Sequence, residues 1–295
     1  MRVHFCGVRG STPAPGLPFV RYGGYTSCVA LAHDGERPRL ILDAGTGLRR
    51  VSALVDDEPF VGTILLGHLH WDHVHGLPFF GSGCATGAQV ALHLPAQGGD
   101  PVGTLARGMS PPHFPIGPQQ LGTGWTFHAL EIGTFEAEGF TVTALEIPHK
   151  GGITFGFRVS DDTATIAYLS DHAPMNLGIG PHGLGALHDA ALSLAEQADL
   201  LIHDAQFEAS QFPAVEYLGH ASVEYAVSLA VAAGVRQLAL FHHAPDRTDA
   251  EIDRITSAAQ GGGVAVLAAA ESTELVLQRS IGTYNQHEVV TSRLP

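Results

Sequence analysis

The segment VGTILLGHLHWDHVHG, residues 61–76, constrains this chain more than any other stretch. Its apolar first half reads as a buried strand, because a short continuous apolar run fits a strand covered on both faces. Its second half sets His68, His70, Asp72 and His73 into the pattern H-x-H-x-D-H directly behind that strand. Along an extended segment residues two apart point the same way, so His68 and His70 can face one ion from one side. A turn then carries Asp72 and His73 toward a second position. Imidazole and carboxylate suit zinc, manganese or iron, and no thiolate stands close by. One loop cannot close two coordination shells, so other strand ends should supply further donors. His149 follows FTVTALEIP, Asp171 follows TIAYLS and His242 follows QLALF, each at the end of an apolar run. Five histidines and two aspartates suit two ions bridged by a carboxylate.

The rest of the pattern places this loop in a sheet-and-helix protein. Short β-type runs fill the first half: RVHFC, SCVALA, RLILDAG, GTILLGH, QVALHLP, FTVTALEIPH, ITFGFRV and ATIAYLS. The second half alternates strand with helix. A helix is expected from Ala186 to Gln197, then the strand DLLIHD, a helix from Ala221 to Ala233, and the strand QLALFHH. A third helix from Asp249 to Ala259 is announced by Thr248 and Glu251 at capping-box spacing, and VAVLAA and TELVLQ close the series as strands. The implied class is α/β or α+β, in a single domain over residues 1–295. Between Gly81 and Gly124 the pattern is interrupted by dense Gly and Pro, and a loop of that length in a compact domain suits a lid or pocket wall. The residues from about Arg279 are polar and carry no pattern.

Composition removes several functions. A formal charge of −14, from 15 cations and 29 anions, repels a bare phosphate backbone or an anionic membrane unless a local patch or bound metal reverses it. Three widely spaced cysteines, Cys6, Cys28 and Cys84, form no CxxC pair and point to a reducing compartment. The N-terminus lacks an uninterrupted apolar core, and nowhere do 18 apolar residues run together. A soluble cytoplasmic protein is expected.

With these residues in view, the chain resembles the metallo-β-lactamase superfamily over roughly Arg2 to Gln278. The H-x-H-x-D-H motif carries the resemblance, with LILDAGTGLR, IPHKGG, YLSDH and LALFHHAPDRTD falling in the family's order. It implies a four-layer αβ/βα sandwich with metals at the edge between two sheets. It assigns His68, His70 and His149 to a first metal and Asp72, His73 and His242 to a second, with Asp171 bridging. Asp43, in LDAG, would lie beneath the site as an acceptor that orients a ligand histidine. An aspartate at 171, where many β-lactamases of the superfamily use cysteine, argues against β-lactam hydrolysis.

The nearer resemblance is to the phosphodiesterase branch, which includes ribonuclease Z and cyclic-phosphate phosphodiesterases. It rests on GVRGSTP, RYGGYTSCV, LLIHDAQF and LGHASVEYA. The histidine of G-H-x-S there protonates the leaving oxygen, a role that falls on His220, beside the catalytic Asp72. Two positions depart from the branch: Tyr25 replaces its usual Asn, and Asp204 stands where ribonuclease Z often has Glu.

Arg9 and Lys150, the single lysine, are candidates to grip a substrate phosphate, and His113 and Phe114 to line the pocket. His75, His172, His203 and His243 adjoin the motif residues as supporting groups. The residues 81–124 carry only Arg107 as a cation, so a small anionic phosphodiester is favoured over a long nucleic acid. Two divalent ions are expected, zinc first, with manganese and iron as alternatives. No membrane partner is expected, and a homodimer is compatible with the sequence. Two competing functions stay open. One is hydrolysis of a carboxylic ester, lactone or thioester on the same metal set. The other is non-catalytic metal or ligand binding on a retained fold.

Overall fold

The computed structural model describes residues 1–278, so the part of the single-domain expectation beyond them lies outside the described residues. Fourteen strands appear there in chain order. They are β1 (Arg2–Gly7), β2 (Cys28–Ala32), β3 (Leu40–Leu42), β4 (Val61–Leu65), β5 (Gln89–Leu94) and β6 (Trp125–Ala129). Next come β7 (Gly133–Ala137), β8 (Phe140–Glu146), β9 (Phe155–Ser160) and β10 (Thr165–Leu169). The last are β11 (Leu200–Asp204), β12 (Gln237–Phe241), β13 (Ala265–Ala268) and β14 (Thr273–Val276).

They pair into two seven-stranded sheets of matching design. One has the order β14-β1-β2-β3-β4-β5-β6 and the other β13-β12-β11-β10-β9-β8-β7. In each, one half is antiparallel and the other parallel: β3 to β6 run parallel in the first sheet, and β10 to β13 in the second. Parallel strands need both faces covered, and here both are. Alternate residues of β2 and β10 show how. Val29 and Leu31 of β2, with Ile166 and Tyr168 of β10, enter a core between the sheets. Cys28 and Ala30 face a second apolar cluster outside the first sheet, while Ala167 and Leu169 face a third outside the other. The layers are therefore helix, sheet, sheet, helix.

The expected strands all form. Two helix boundaries shift inward, one of them at a side-chain cap. The helix Val223–Ala232 begins at Ser222, whose hydroxyl accepts the Tyr225 N–H at 3.1 Å, and Asp189–Ala195 is shorter than the sequence suggests. Thr248 and Glu251 form the capping box ahead of Asp249–Ala259. The sequence reading missed β6 and β7. Each ends one sheet, and much of each is exposed, so neither carries the apolar run of a central strand. Within 81–124 the chain also forms the helix Pro101–Ala106, capped by Asp100, whose carboxylate accepts the Gly103 N–H. None of the helices among the described residues is long and apolar enough to cross a membrane. Cys6 and Cys28 are buried and Cys84 exposed, all as free thiols.

Candidate metal centre

The chain reaches the site at the carboxyl ends of the parallel strands, where open α/β sheets place ligands. Asp43 follows β3, His68 to His73 follow β4, Asp171 follows β10, and His242 follows β12. His149 arrives from the loop after β8. Two of these residues, Asp43 and His242, sit in the left-handed backbone region at φ 60° and 57°, as does Ser11 at 62°. Such conformations cost roughly 1 kcal/mol or more for non-glycine residues and cluster at functional sites. Gly10 is needed beside them, because a Cβ there would collide with the His242 ring.

The side chains form two donor clusters joined at Asp171. His68, His70, His149 and Asp171 present ligand-type atoms within 4.8 Å of one another, and so do Asp72, His73, Asp171 and His242. Asp171 divides its oxygens between them. Oδ2 lies 3.5 Å from His68 Nε2 and 3.4 Å from His149 Nε2. Oδ1 lies 3.1 Å from both His73 Nε2 and His242 Nε2. Asp72 Oδ2 completes the second group, 3.3 Å from His73 Nε2 and 3.0 Å from His242 Nε2.

The electrostatics are those of a cation site. Burial raises the cost of ionising Asp171, but His242, His73 and His68 more than reverse this and hold its pKa well below the usual carboxylate range. Burial alone would lower His73, yet Asp171, Asp72 and Asp43 carry it well above the usual imidazole value. His68 is pushed well below that value, first by burial and then by His73, and burial brings His149 down to about 4. Buried polar groups normally find partners. Among the described residues, both nitrogens of His68, Nε2 of His73 and Oδ1 of Asp171 have no hydrogen-bond partner. Of these, His68 Nε2, His73 Nε2 and Asp171 Oδ1 lie within the two donor clusters, where a divalent metal would satisfy them.

Supporting contacts fix several rings. The Nδ1 of His73 lies 2.7 Å from Asp43 Oδ2, which also accepts hydroxyl bonds from Tyr168 at 2.7 Å and Ser170 at 3.0 Å. The other oxygen of Asp43 accepts the Gly67 N–H at 2.8 Å. The Nδ1 of His149 donates to the Gly219 carbonyl at 2.7 Å, and that of His242 to Gln206 Oε1 at 3.0 Å. Ser11 N–H donates to Asp72 Oδ2 at 2.7 Å. Sequence reasoning did not single out Gln206, Ser11, Tyr168 or Ser170. All four lie within the motifs TIAYLS, LLIHDAQF and GVRGSTP, but nothing in one sequence shows which way they reach.

The other expected residues divide. His220 lies at the cleft with Ser11, Asp72 and Asp171, and its Nδ1 is 3.0 Å from Asp204 Oδ2. Burial opposes its protonation, but Asp204, with Asp171 and Asp72 behind it, raises its pKa to about 9. Lys150 is exposed, with Nζ 5.6 Å from the Tyr217 ring centre, and it borders a recess beside His68 and His70 together with Arg107. His113 and Phe114 line a neighbouring cavity. Arg9 is a correction. Its side chain is fully buried, and it donates to the Gly23, Ala244 and Arg247 carbonyls at 2.7, 3.2 and 2.6 Å, so it ties loops together and offers no face to a substrate. His203 and His243 serve as buried links, donating to the Asp204 and Ala269 carbonyls at 2.6 and 2.9 Å, and His172 meets His203 at 3.1 Å.

A four-layer sandwich with a paired His/Asp cluster at strand ends of both sheets defines a class of metal-binding proteins. Residues 38–243, well over half the chain, match the family described as the beta-lactamase superfamily domain, and the protein belongs to that family. Curated relatives are ribonucleases Z. That of Thermoplasma volcanium is 34% identical over 117 residues, covering 40% of this chain and only 31% of the relative. That of Bacillus velezensis is 27% identical over 218 residues, 61% of this chain and 68% of the relative. The solved short form of human tRNase Z superposes with a TM-score of 0.63 at 21% identity, over 95% of this chain and all of that one. It shares the fold.

Proposed function

We propose that this protein is a dinuclear metal-dependent phosphodiesterase acting on a small phosphodiester. The observation that carries the reading is Asp171, whose two oxygens face separate imidazole groups 3.1 to 3.5 Å away. His68, His70 and His149 would hold one divalent ion, Asp72, His73 and His242 the other, and Asp171 both. Such ions supply Lewis-acid stabilisation of phosphoryl oxygens and lower the pKa of water, with zinc the first choice and manganese or iron alternatives. The chain's own residues do the rest. Asp43 and Gln206 orient imidazoles. His220, steadied by Asp204, is placed to hold a proton for the leaving oxygen at the cleft. Lys150 and Arg107 provide positive charge at the adjoining recess.

The small substrate follows from charge. Residues 81–124 offer one cation, Arg107, in a chain of net charge −14, and a long polyanion needs a basic track. The names of the curated relatives favour a second reading, cleavage of an RNA phosphodiester on the same site. The decisive experiment is hydrolysis of bis(p-nitrophenyl) phosphate by protein loaded separately with zinc and with manganese, beside Asp72→Ala. Metal-dependent turnover that the substitution abolishes supports the proposal. Activity confined to esters, lactones or a tRNA precursor would replace the small phosphodiester by that substrate, and protein that binds no metal would end the whole reading.

A further inference from the structure

Beside the metal centre lies a cavity of about 570 Å³ that the chemistry above does not use. Its volume falls within the range of small-molecule sites, about 300–1,000 Å³. Trp71 and Leu69 belong both to its wall and to the cleft that holds Asp72, Asp171 and His220, so the two spaces share a boundary. The cavity therefore lies next to the place where a phosphate would sit.

The wall has an aromatic character that a metal-binding loop does not require. Trp71, whose neighbour is the proposed ligand Asp72, is 70% exposed and stacks on His75 with ring centres 5.5 Å apart at 19°. Phe79 is 58% exposed and stands edge-on to Phe114 at 6.1 Å and 85°. Leu105 and Met109 add apolar surface. Large exposed aromatics lining one cavity are unusual on a surface that gains nothing from them. Polar groups line it too, in Tyr25, Thr46, Arg49 and His113. Aromatic and apolar lining with a few polar groups among it matches a heteroaromatic ring, which stacks by its faces and bonds at its edge. A bare sugar phosphate would leave these walls wet.

We propose that this cavity is a nucleobase subsite, and that the substrate is a small nucleotide phosphodiester with its base against Trp71 and Phe79. This rests on the phosphodiesterase reading but is tested apart from it. The measurement is competitive inhibition of bis(p-nitrophenyl) phosphate turnover by AMP and by ribose 5-phosphate, which differ by the base alone. AMP should inhibit about tenfold more tightly, within the range of base stacking on an aromatic side chain. Trp71→Ala and, farther from the metal ligands, Phe79→Ala should each shrink that ratio while ribose 5-phosphate keeps its inhibition constant. Equal inhibition by the two ligands in the unaltered protein, or a ratio that survives both substitutions, overturns the proposal.

If there is no turnover, the phosphodiesterase reading fails, and quenching of Trp71 fluorescence by AMP in the metal-loaded protein still decides the subsite. Trp125, the other tryptophan, is buried and serves as the internal reference. A hexaribonucleotide should bind no more tightly than AMP; steady tightening with length would assign the base to a longer strand and overturn the small-nucleotide substrate. A dimer that dissociates on Phe79→Ala with no change in the AMP ratio would make the aromatics a subunit interface and overturn it as well.

Discussion

The two donor clusters share Asp171 yet are held in different ways. In the cluster of His73 and His242, each imidazole has its far nitrogen engaged, one by Asp43 and the other by Gln206. In the other cluster, His149 is held by the Gly219 carbonyl, but His68 has neither nitrogen bonded among the described residues. A ring already fixed in tautomer and orientation gives up little freedom when it takes a metal, and a charged acceptor makes it more basic. The His73 side is therefore prepared before an ion arrives. The His68 side would gain its partner only with an ion. If two ions bind as proposed, the shared carboxylate would join a tight position to a weaker one, and the two would leave in order.

The largest effect should come from removing what the clusters share. Asp171→Ala deprives both positions of a ligand and leaves His68, His73, His149 and His242 facing one another without the anion that separates them. Turnover of the diester should fall on the order of a thousandfold or more, with less than one ion retained per chain by elemental analysis. Retention of two ions would show that the carboxylate does not bridge.

A smaller substitution tests the asymmetry itself. Asp43→Asn removes the charge beneath His73 and leaves one acceptor oxygen, which can serve either the Gly67 N–H or the group of His73, Tyr168 and Ser170, but not both. Loss of such a supporting carboxylate costs about 10–100-fold in metal affinity. The loss should fall on the tighter of the two binding steps in a calorimetric titration, bringing the two closer together. If the weaker step moves instead, the assignment of the prepared side is reversed. A melting curve of the metal-free variant separates this from simple destabilisation.

Much of this arrangement was legible in the sequence, and the reason is periodicity. The H-x-H-x-D-H loop concentrates four donors behind one apolar strand, and His149, Asp171 and His242 each terminate an apolar run, so strand ends could be read one by one. What could not be read depends on approach across the sheets. Tyr168 and Ser170 reach Asp43 from a strand more than a hundred positions away. Arg9 was a candidate to grip a substrate phosphate, yet the carbonyls of Gly23, Ala244 and Arg247 close around it. The edge strands β6 and β7 were missed for the same physical reason that makes them edges: with one side unpaired and much surface wet, they carry few of the apolar residues that mark a central strand.

Gln206 gives the finest test of the comparison, because it braces His242 without charge. Its Oε1 accepts from His242 Nδ1 at 3.0 Å, and its amide nitrogen reaches Ser11 Oγ at 3.3 Å, while Ser11 N–H holds Asp72. One side chain thus links two proposed ligands of the same ion. A neutral hydrogen bond contributes roughly 0.5–1.5 kcal/mol, so Gln206→Ala should weaken that ion's binding by about two- to tenfold, less than Asp43→Asn. Gln206→Glu separates orientation from charge. If the contact only orients the ring, the acidic variant should bind metal about as well as the unaltered protein, since it still accepts from His242. If the ligand's basicity sets the affinity, the added carboxylate should tighten binding, and the two sides of the site would then differ in charge more than in order.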